Sequence, residues 1–561
     1  MIRKLSAAFS ALFLSACATQ QPPVAQAPPA SIEVQILAIN DFHGNIETPP
    51  GPVTIARADS SVLNVRAGGA AQLASALSKA RQGHPNSITV AAGDLIGASP
   101  LASAYFLDEP TIDAMNMLGL SLASVGNHEF DKGSVELLRM QKGGCEKYTT
   151  RLPCRLEPFV GARFQYLAAN VRRGDGSTLF PATAVKQVGP IRIGFIGETL
   201  KETATLVSPG GVAGLTFTDE AATANALVPQ LKAAGADAIV LLIHQGGKVP
   251  DSFEEQGCKG FAGDILPILD RLDPAITTVI SGHTHNGYAC TLQRGGTARL
   301  LTSAGRYGIL YSDVRLTFDP TSHRLLDGRA VNVPVTGDSG ADPKVAALVD
   351  RYVAASRPAA ERVVGRLAGA AVKTGENGES PVADLIADAQ LAATKAPGRG
   401  NAQISFINTG GTRTDLVPRA DGSITYGQIF ALEPFGNTLV VRTLTGAQLK
   451  ALLEQQFDEA KGGLRASTLV PSANFHFAFD LSQPQGSRIV AMALDGKPID
   501  PDGRYRVVVN NFLASGGDGY SVLTGGTDTF DAGLDLDALE AWLATNPAVP
   551  KLGRIRNATP R

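Results

Sequence analysis

Five short segments between residues 41 and 285 constrain this chain most, because each places metal-ligand side chains directly after an apolar run. They are Asp41-Phe42-His43, Gly93-Asp94, Gly126-Asn127-His128-Glu129, His244, and Gly282-His283-Thr284-His285. Side chains so far apart in sequence meet only if the runs before them lie side by side as strands ending at one edge. An α/β domain supplies that geometry, since its sites form beyond the carboxyl ends of its strands. His, Asp and Asn gathered there suit divalent ions, and two such ions about 3.5–4 Å apart are a standard engine for phosphate-ester hydrolysis.

The runs support that frame. Residues 32–40, 87–92, 121–125, 191–196, 238–243 and 277–280 read as strands, and residues 70–81, 111–118 and 221–234 read as helices between them. Short apolar strands alternating with helices predict an α/β layered domain with buried sheets. Residues 299–318 read as two further strands. Residues 342–360 look helical, with a break at Pro358. A second α/β unit begins near Val363, with a helix over 382–393, strands over 403–407, 438–444 and 504–510, and a closing helix over 534–544. At 561 residues the chain is too long for one ordinary core. The divisions expected are a leader over 1–17, a flexible tether over 18–31, a catalytic domain over 32–335, a connecting segment over 336–362 and a C-terminal domain over 363–557.

The leader has its own logic. Arg3-Lys4 precede an apolar stretch over 5–16 of signal-peptide length, and Leu14-Ser15-Ala16-Cys17 resembles a bacterial lipobox, in which Cys17 is lipidated. An ordinary cleaved signal peptide is the alternative. The chain is then exported and held to a membrane through Cys17 only, at the periplasmic face of an outer membrane or at the cell surface. The other cysteines are Cys145, Cys154, Cys258 and Cys290; in an exported chain an even count suggests disulfides, and sequence neighbours suggest Cys145–Cys154 and Cys258–Cys290 among three pairings. A soft-metal site is the other reading, without a C-x-x-C spacing to support it. The net charge of −2 and the absence of a Lys/Arg run give no footing for a nucleic-acid polymer.

Taken one at a time, an Asp-x-His or a His-x-His is more often a loop feature than a metal site. The joint pattern carries the chemistry. Asp94 offers two oxygens, one to each ion; Asn127 adds a neutral oxygen; His244, His283 and His285 add nitrogens. This mixed set suits Mn, Zn, Co or Fe better than Mg or Ca. His128 need not be a ligand. Asp131, three residues on, orients its ring and favours its protonated form, so that it stabilises charge on a phosphate or protonates a leaving oxygen. Glu129 reads as a solvated or supporting residue.

These segments resemble the calcineurin-like metallophosphoesterases, and Gly126-Asn127-His128-Glu129-Phe130-Asp131 resembles the exported 5′-nucleotidase/UDP-sugar hydrolase family within them. The resemblance implies an N-terminal four-layer metallophosphoesterase sandwich and a C-terminal α/β substrate-binding domain. It implies one ion held by Asp41, His43, Asp94 and His285, a second held by Asp94, Asn127, His244 and His283, and a catalytic dyad of His128 and Asp131. Downstream, Asn408-Thr409-Gly410-Gly411-Thr412-Arg413 resembles a family segment whose Arg contacts phosphate, with Asn408 and Gly410 beside it. Glu433-Pro434-Phe435-Gly436-Asn437 and the segment over 510–520 resemble those that supply two stacking Phe residues and the sugar contacts. Phe435 and Phe512 would sandwich a base, while Asn437 and Asp518 would bind sugar hydroxyls. Some relatives carry further phosphate-binding Arg residues before the helix starting near Val382. Here residues 374–381 hold no Arg, which leaves Arg413 with fewer cationic helpers.

The implied reaction is phosphate release from 5′-nucleotides by in-line attack of a dimetal-activated hydroxide, with rotation of one domain against the other. The alternatives are a UDP-sugar or dinucleotide pyrophosphatase, a 2′,3′-cyclic nucleotide phosphodiesterase, a sulfur-ester hydrolase, and a non-catalytic nucleotide-binding surface lipoprotein. Oligomeric state is not readable from the residues.

Overall fold

A computed structural model describes residues 31–149, 151–207, 209–458 and 462–560. The proposed leader, Cys17 and nearly all of the tether lie outside the described residues.

Two six-stranded sheets face each other in the N-terminal part. In the first, Ile32–Ile39, Ser87–Ala92, Leu122–Ser124 and Gln165–Leu167 run parallel; Leu310–Phe318 pairs antiparallel with Ile32–Ile39, and Leu325–Pro334 pairs antiparallel with Leu310–Phe318 at the edge. In the second, Ile191–Thr199, Ala238–His244, Ile276–Ser281 and Thr297–Ala304 are parallel, with antiparallel edges at Thr183–Val188 and Gly287–Arg294. Strands covered on both faces must be apolar almost throughout, which is why Ala238–His244 reads AIVLLIH rather than alternating. Val34, Val90, Leu122, Ile193, Val240 and Ile280 fill the space between the sheets. Helices Ala70–Ala80 and Glu109–Leu118 cover the outer face of the first sheet, and Glu220–Ala233 and Ile265–Arg271 cover the second. The result is the four-layer α/β/β/α sandwich.

Helix Pro343–Ala360 starts where Asp342 accepts from the Lys344 and Val345 N–H groups and Pro343 occupies the first turn. It packs on the catalytic side through Val345, Leu348, Val349 and Tyr352. The break expected at Pro358 does not occur: Pro358 falls in the last turn, and the helix runs two residues past it to Ala360.

The C-terminal part holds a five-stranded sheet in the order Leu469–Pro471, Ile404–Asn408, Arg504–Asn510, Thr438–Thr445, Thr527–Leu534. Ile404–Asn408 and Arg504–Asn510 are parallel, so Asn408 and Asn510 finish at one edge. Thr438–Thr445 is antiparallel to the latter, and its first residues come to the same edge. Three loops that are distant in sequence are therefore neighbours. The helix expected to close the domain, here Asp535–Leu543, is followed by one more strand, Ile555–Asn557. Leu101 and Ala104 of the catalytic side are buried in this domain's core, which ties the two halves together.

Both suggested disulfides are present, Cys145–Cys154 and Cys258–Cys290. No helix among the described residues is long and apolar enough to cross a membrane.

Candidate metal centre and substrate cavity

Asp41, Asp94 and Asn127 follow three parallel strands of the first sheet, and His244, His283 and His285 follow two parallel strands of the second. Because the sheets are stacked, these carboxyl ends open onto one pocket. Asp41, His43 and His285 present ligand atoms within 4.8 Å of one another, as do Asp94, His244 and His283, and also His43, Asp94 and His128. Asp94 Oδ2 lies 2.9 Å from His244 Nε2 and 3.6 Å from His43 Nε2, between the two proposed ligand sets. His285 Nε2 is 3.4 Å from Asp41 Oδ1 and 3.0 Å from His43 Nε2, and His283 Nδ1 is 3.1 Å from Asn127 Oδ1. All seven proposed ligands are thus brought together. Asp94 Oδ1 also accepts the His128 N–H at 2.9 Å, while Oδ2 faces both sets.

Hydrogen bonds behind the pocket fix the imidazoles. His43 Nδ1 donates to the Gly97 carbonyl at 2.9 Å and His244 Nδ1 to the Ala92 carbonyl at 2.8 Å, so in each neutral ring Nε2 carries the lone pair. His244 Nε2 is buried and makes no hydrogen bond although Asp94 Oδ2 is so near. An imidazole lone pair and a carboxylate oxygen at that separation form a donor set suited to a divalent cation. Burial works against the His244 imidazolium, but the Asp94 charge outweighs it and lifts the ring to about 10, the same attraction that favours a metal cation at Nε2. Burial pushes His283 down to about 4 and His285 well below the usual imidazole value, toward the neutral form that ligates. The residues present fit a divalent pair.

The backbone pays for this convergence. Asp41, His43, Asp94, His283 and His285 sit in the left-handed region at φ 50°, 47°, 50°, 72° and 59°. Such conformations cost on the order of 1 kcal/mol each in non-glycine residues and persist only where surroundings enforce them. Glu129 is one enforcer. It is buried, not solvated, and its carboxylate accepts from the Gly126, Asp94 and Leu95 N–H groups at 2.6, 2.8 and 2.8 Å. It thereby clamps the Asp94 turn to the Asn127 turn. Gly126 is required at that join, since a Cβ there would lie 2.1 Å from Asp94 Oδ1.

His128 is tethered through Nδ1 to Asp131 Oδ2 at 2.8 Å, so Nε2 is its available nitrogen. Burial disfavours its charged form, but Asp131 and Asp94 prevail and hold the ring above the usual His value, with Arg413 opposing them.

A cavity of about 200 Å³ opens beside this centre. From the catalytic side Asn127, His128, Asp131 and His283 line it; from the C-terminal side Asn408, Gly410, Arg413, Phe435, Asn437, Phe512 and Asp518 do. The Phe435 ring stacks toward His128 at 6.0 Å and 16°, and the Arg413 guanidinium lies 5.7 Å from the same ring. Asp518 accepts from Asn408 Nδ2 at 2.7 Å and from Ser467 Oγ. Burial raises its carboxyl, and those two hydrogen bonds oppose the shift.

The structure also adds residues the motifs did not reveal. The pair Leu206-Val207 lines the cavity. Lys373 Nζ donates to the Arg413 carbonyl at 3.3 Å, and Arg306, beside Tyr307 next to His43 and His285, has a buried Nε without a partner. Arg413 therefore has cationic neighbours even though residues 374–381 contain no Arg. An apolar pair and isolated basic residues carry no local motif, so nothing in the sequence singled them out.

A layered sandwich with this cluster at its strand ends defines a class, the metallophosphoesterases. A family model for the calcineurin-like phosphoesterases matches residues 34–287, and one for the 5′-nucleotidase C-terminal domain matches residues 358–525. The chain is 31% identical over 534 residues to the cell wall protein Lmo0130 of Listeria monocytogenes, covering 89% of this chain and 65% of that one. It is 28% identical over 495 residues to endonuclease YhcR of Bacillus subtilis, covering 87% of this chain but 38% of that one, so it spans less than two thirds of either relative. The crystal structure of a 5′-nucleotidase precursor from Thermus thermophilus matches with a TM-score of 0.75 at 26% identity, covering 94% of this chain and 99% of that one. The chain belongs to the 5′-nucleotidase family, a calcineurin-like phosphoesterase domain joined to a 5′-nucleotidase C-terminal domain.

Proposed function

We propose that this protein is an exported, metal-dependent phosphohydrolase that releases phosphate from 5′-nucleotides. The observation that carries the reading is the shared cavity, with His128 and the Asp94 cluster on one wall and Arg413, Phe435 and Phe512 on the other. In this proposal Asp41, His43, Asp94 and His285 hold one ion, and Asp94, Asn127, His244 and His283 hold the other. Such a pair supplies Lewis-acid polarisation of the phosphoryl group and an activated water.

The remaining work falls to side chains. Phe435 and Phe512 take the base by stacking, a contact every nucleobase can make. The Arg413 guanidinium fork matches phosphate oxygens and aims the terminal phosphoryl at the Asp94 side of the cavity. Asp131 keeps the His128 ring oriented and charged, so Nε2 offers a proton where negative charge grows on the transferring group or leaving oxygen. The products are a nucleoside and phosphate.

Export is part of the proposal. It rests on the leader, on the lipobox-like Cys17, and on the two disulfides, which persist in oxidising compartments.

The test is a phosphate-release screen on chelated protein refilled with Mn, Zn, Co or Mg, over AMP, ADP, UDP-glucose, a dinucleotide and a 2′,3′-cyclic nucleotide. Hydrolysis of AMP that returns with two divalent ions per chain is the expected result. Cleavage confined to the diphosphate esters would replace the reading with a pyrophosphatase.

A further inference from the structure

The catalytic domain reaches across to the base-binding side. Its short helix Thr203–Leu206 packs against the turn Gly517–Gly519, which carries Asp518. The Phe512 ring lies over that same turn, so closely that a Cβ on Gly517 would fall 2.5 Å from it. Leu206 and Val207 line the cavity shared with Phe435 and Phe512. Val207 is buried in the catalytic domain's own core, so the strip facing the cavity is anchored from behind.

We propose that Leu206, backed by Val207, is a third wall of the nucleobase pocket and a specificity-determining residue contributed by the catalytic domain. The inference rests on the nucleotide reading above and deepens it. Leu206 and Val207 offer hydrocarbon side chains, while the other charged and amide groups of the cavity are assigned above to metal, dyad, phosphate and sugar, and Asn510 donates to Asn408 Oδ1 and accepts from the Leu513 N–H. The base is then selected by shape and stacking, with no charged partner for its edge. The substrate class is 5′-nucleotides with an uncharged base, purine or pyrimidine. The wall and the two Phe rings belong to different domains, so the base pocket is complete only when the domains are apposed as they are here.

The measurement is kcat and KM for AMP and CMP against p-nitrophenyl phosphate, which has neither base nor sugar, in metal-loaded wild type, Leu206→Ala, Leu206→Asp and Leu206→Met. Deleting methylenes from an apolar pocket costs about tenfold or more in selectivity. The ratio of kcat/KM for AMP to that for p-nitrophenyl phosphate should fall about tenfold in Leu206→Ala through KM, fall further in Leu206→Asp, and recover in Leu206→Met. A ratio equal to wild type in Leu206→Ala and Leu206→Asp overturns the wall. So does a parallel loss on both substrates with lowered metal content, which would make Leu206 a structural support of the centre. If wild type cleaves p-nitrophenyl phosphate and no nucleotide, the nucleotide reading itself fails, a result distinct from either.

Discussion

The two walls of the cavity are built by opposite strategies. On the catalytic side the functional atoms gather in groups of three, each within 4.8 Å, on turns after parallel strands, with Asp41, His43, Asp94, His283 and His285 in left-handed backbone and ring nitrogens fixed from behind. On the C-terminal side they sit on three loops at one sheet edge, and Gly410 and Gly411 leave the turn before Arg413 without side-chain bulk. Polarising a phosphoryl group tolerates little positional error, so strain and burial are accepted there. Stacking a base and forking a phosphate tolerate more, so loops suffice. Damage on the first side should therefore abolish chemistry, and damage on the second should mainly weaken binding.

The largest effect should come from Asp94→Ala, which removes the carboxylate between both ligand sets. Metal analysis of the refilled variant should show loss of at least one ion, and turnover should drop by three orders of magnitude or more, on the order of the largest single losses of electrostatic stabilisation. Retention of both ions would break the bridging role. Next comes His128→Ala, which should lower kcat about 10²- to 10⁴-fold while sparing metal content, as loss of a general acid does. An unchanged kcat would take His128 out of the mechanism. Phe435→Ala tests the other wall. Base stacking is worth about 1–3 kcal/mol, so KM for AMP should rise roughly tenfold to a hundredfold, with a smaller change in kcat. A kcat loss as large as that of His128→Ala would show instead that the Phe435 ring chiefly positions the imidazole it stacks against.

The smallest effect concerns stability. Asp535 is buried behind the substrate loop, where its N–H donates to the Asn437 carbonyl at 3.0 Å. Burial pushes its carboxyl up to about 7, against bonds from Leu536 and Asn437, and burial likewise raises Glu433, with Asp535 adding to it. A carboxyl raised in the folded state keeps a proton that the unfolded chain has released. Its penalty is absent below about pH 4, grows through the window up to about pH 7, and is complete above it. Asp535→Asn should remove that slope and raise Tm at pH 8 by about 2–4 °C. Melting curves from pH 4 to 8 with parallel slopes in both proteins would exclude the buried acid as the cause.

Much of the catalytic wall is legible in the sequence because its code is local. A strand is a run of apolar residues, the ligand follows it, and Asp41, Asp94, Asn127, His244 and His283 can each be placed at a strand end from the residues alone. Glu129 is less sharply legible, since its sequence context reads equally as solvated or supporting. An acid next to a ligand motif looks exposed until the turns around Asp94 and Gly126 are seen to aim three N–H groups at it. The substrate wall is legible only through resemblance, because a Phe or an Asn in a loop has no periodicity to betray it.

The sequence alone determined the inventory and its order: which side chains could ligate, which stretches could become buried strands, and which cysteines were available to pair. Each depends on residues a few positions apart, where apolar period and side-chain chemistry suffice. Only the tertiary structure decided that Asp94 Oδ2 faces both ligand sets, that Leu206 meets the turn carrying Asp518, and that Phe435 stacks on His128. Those contacts join residues tens to hundreds of positions apart. They exist because two stacked sheets and a second domain close on one cavity, a cooperative outcome of the whole core that no single segment encodes.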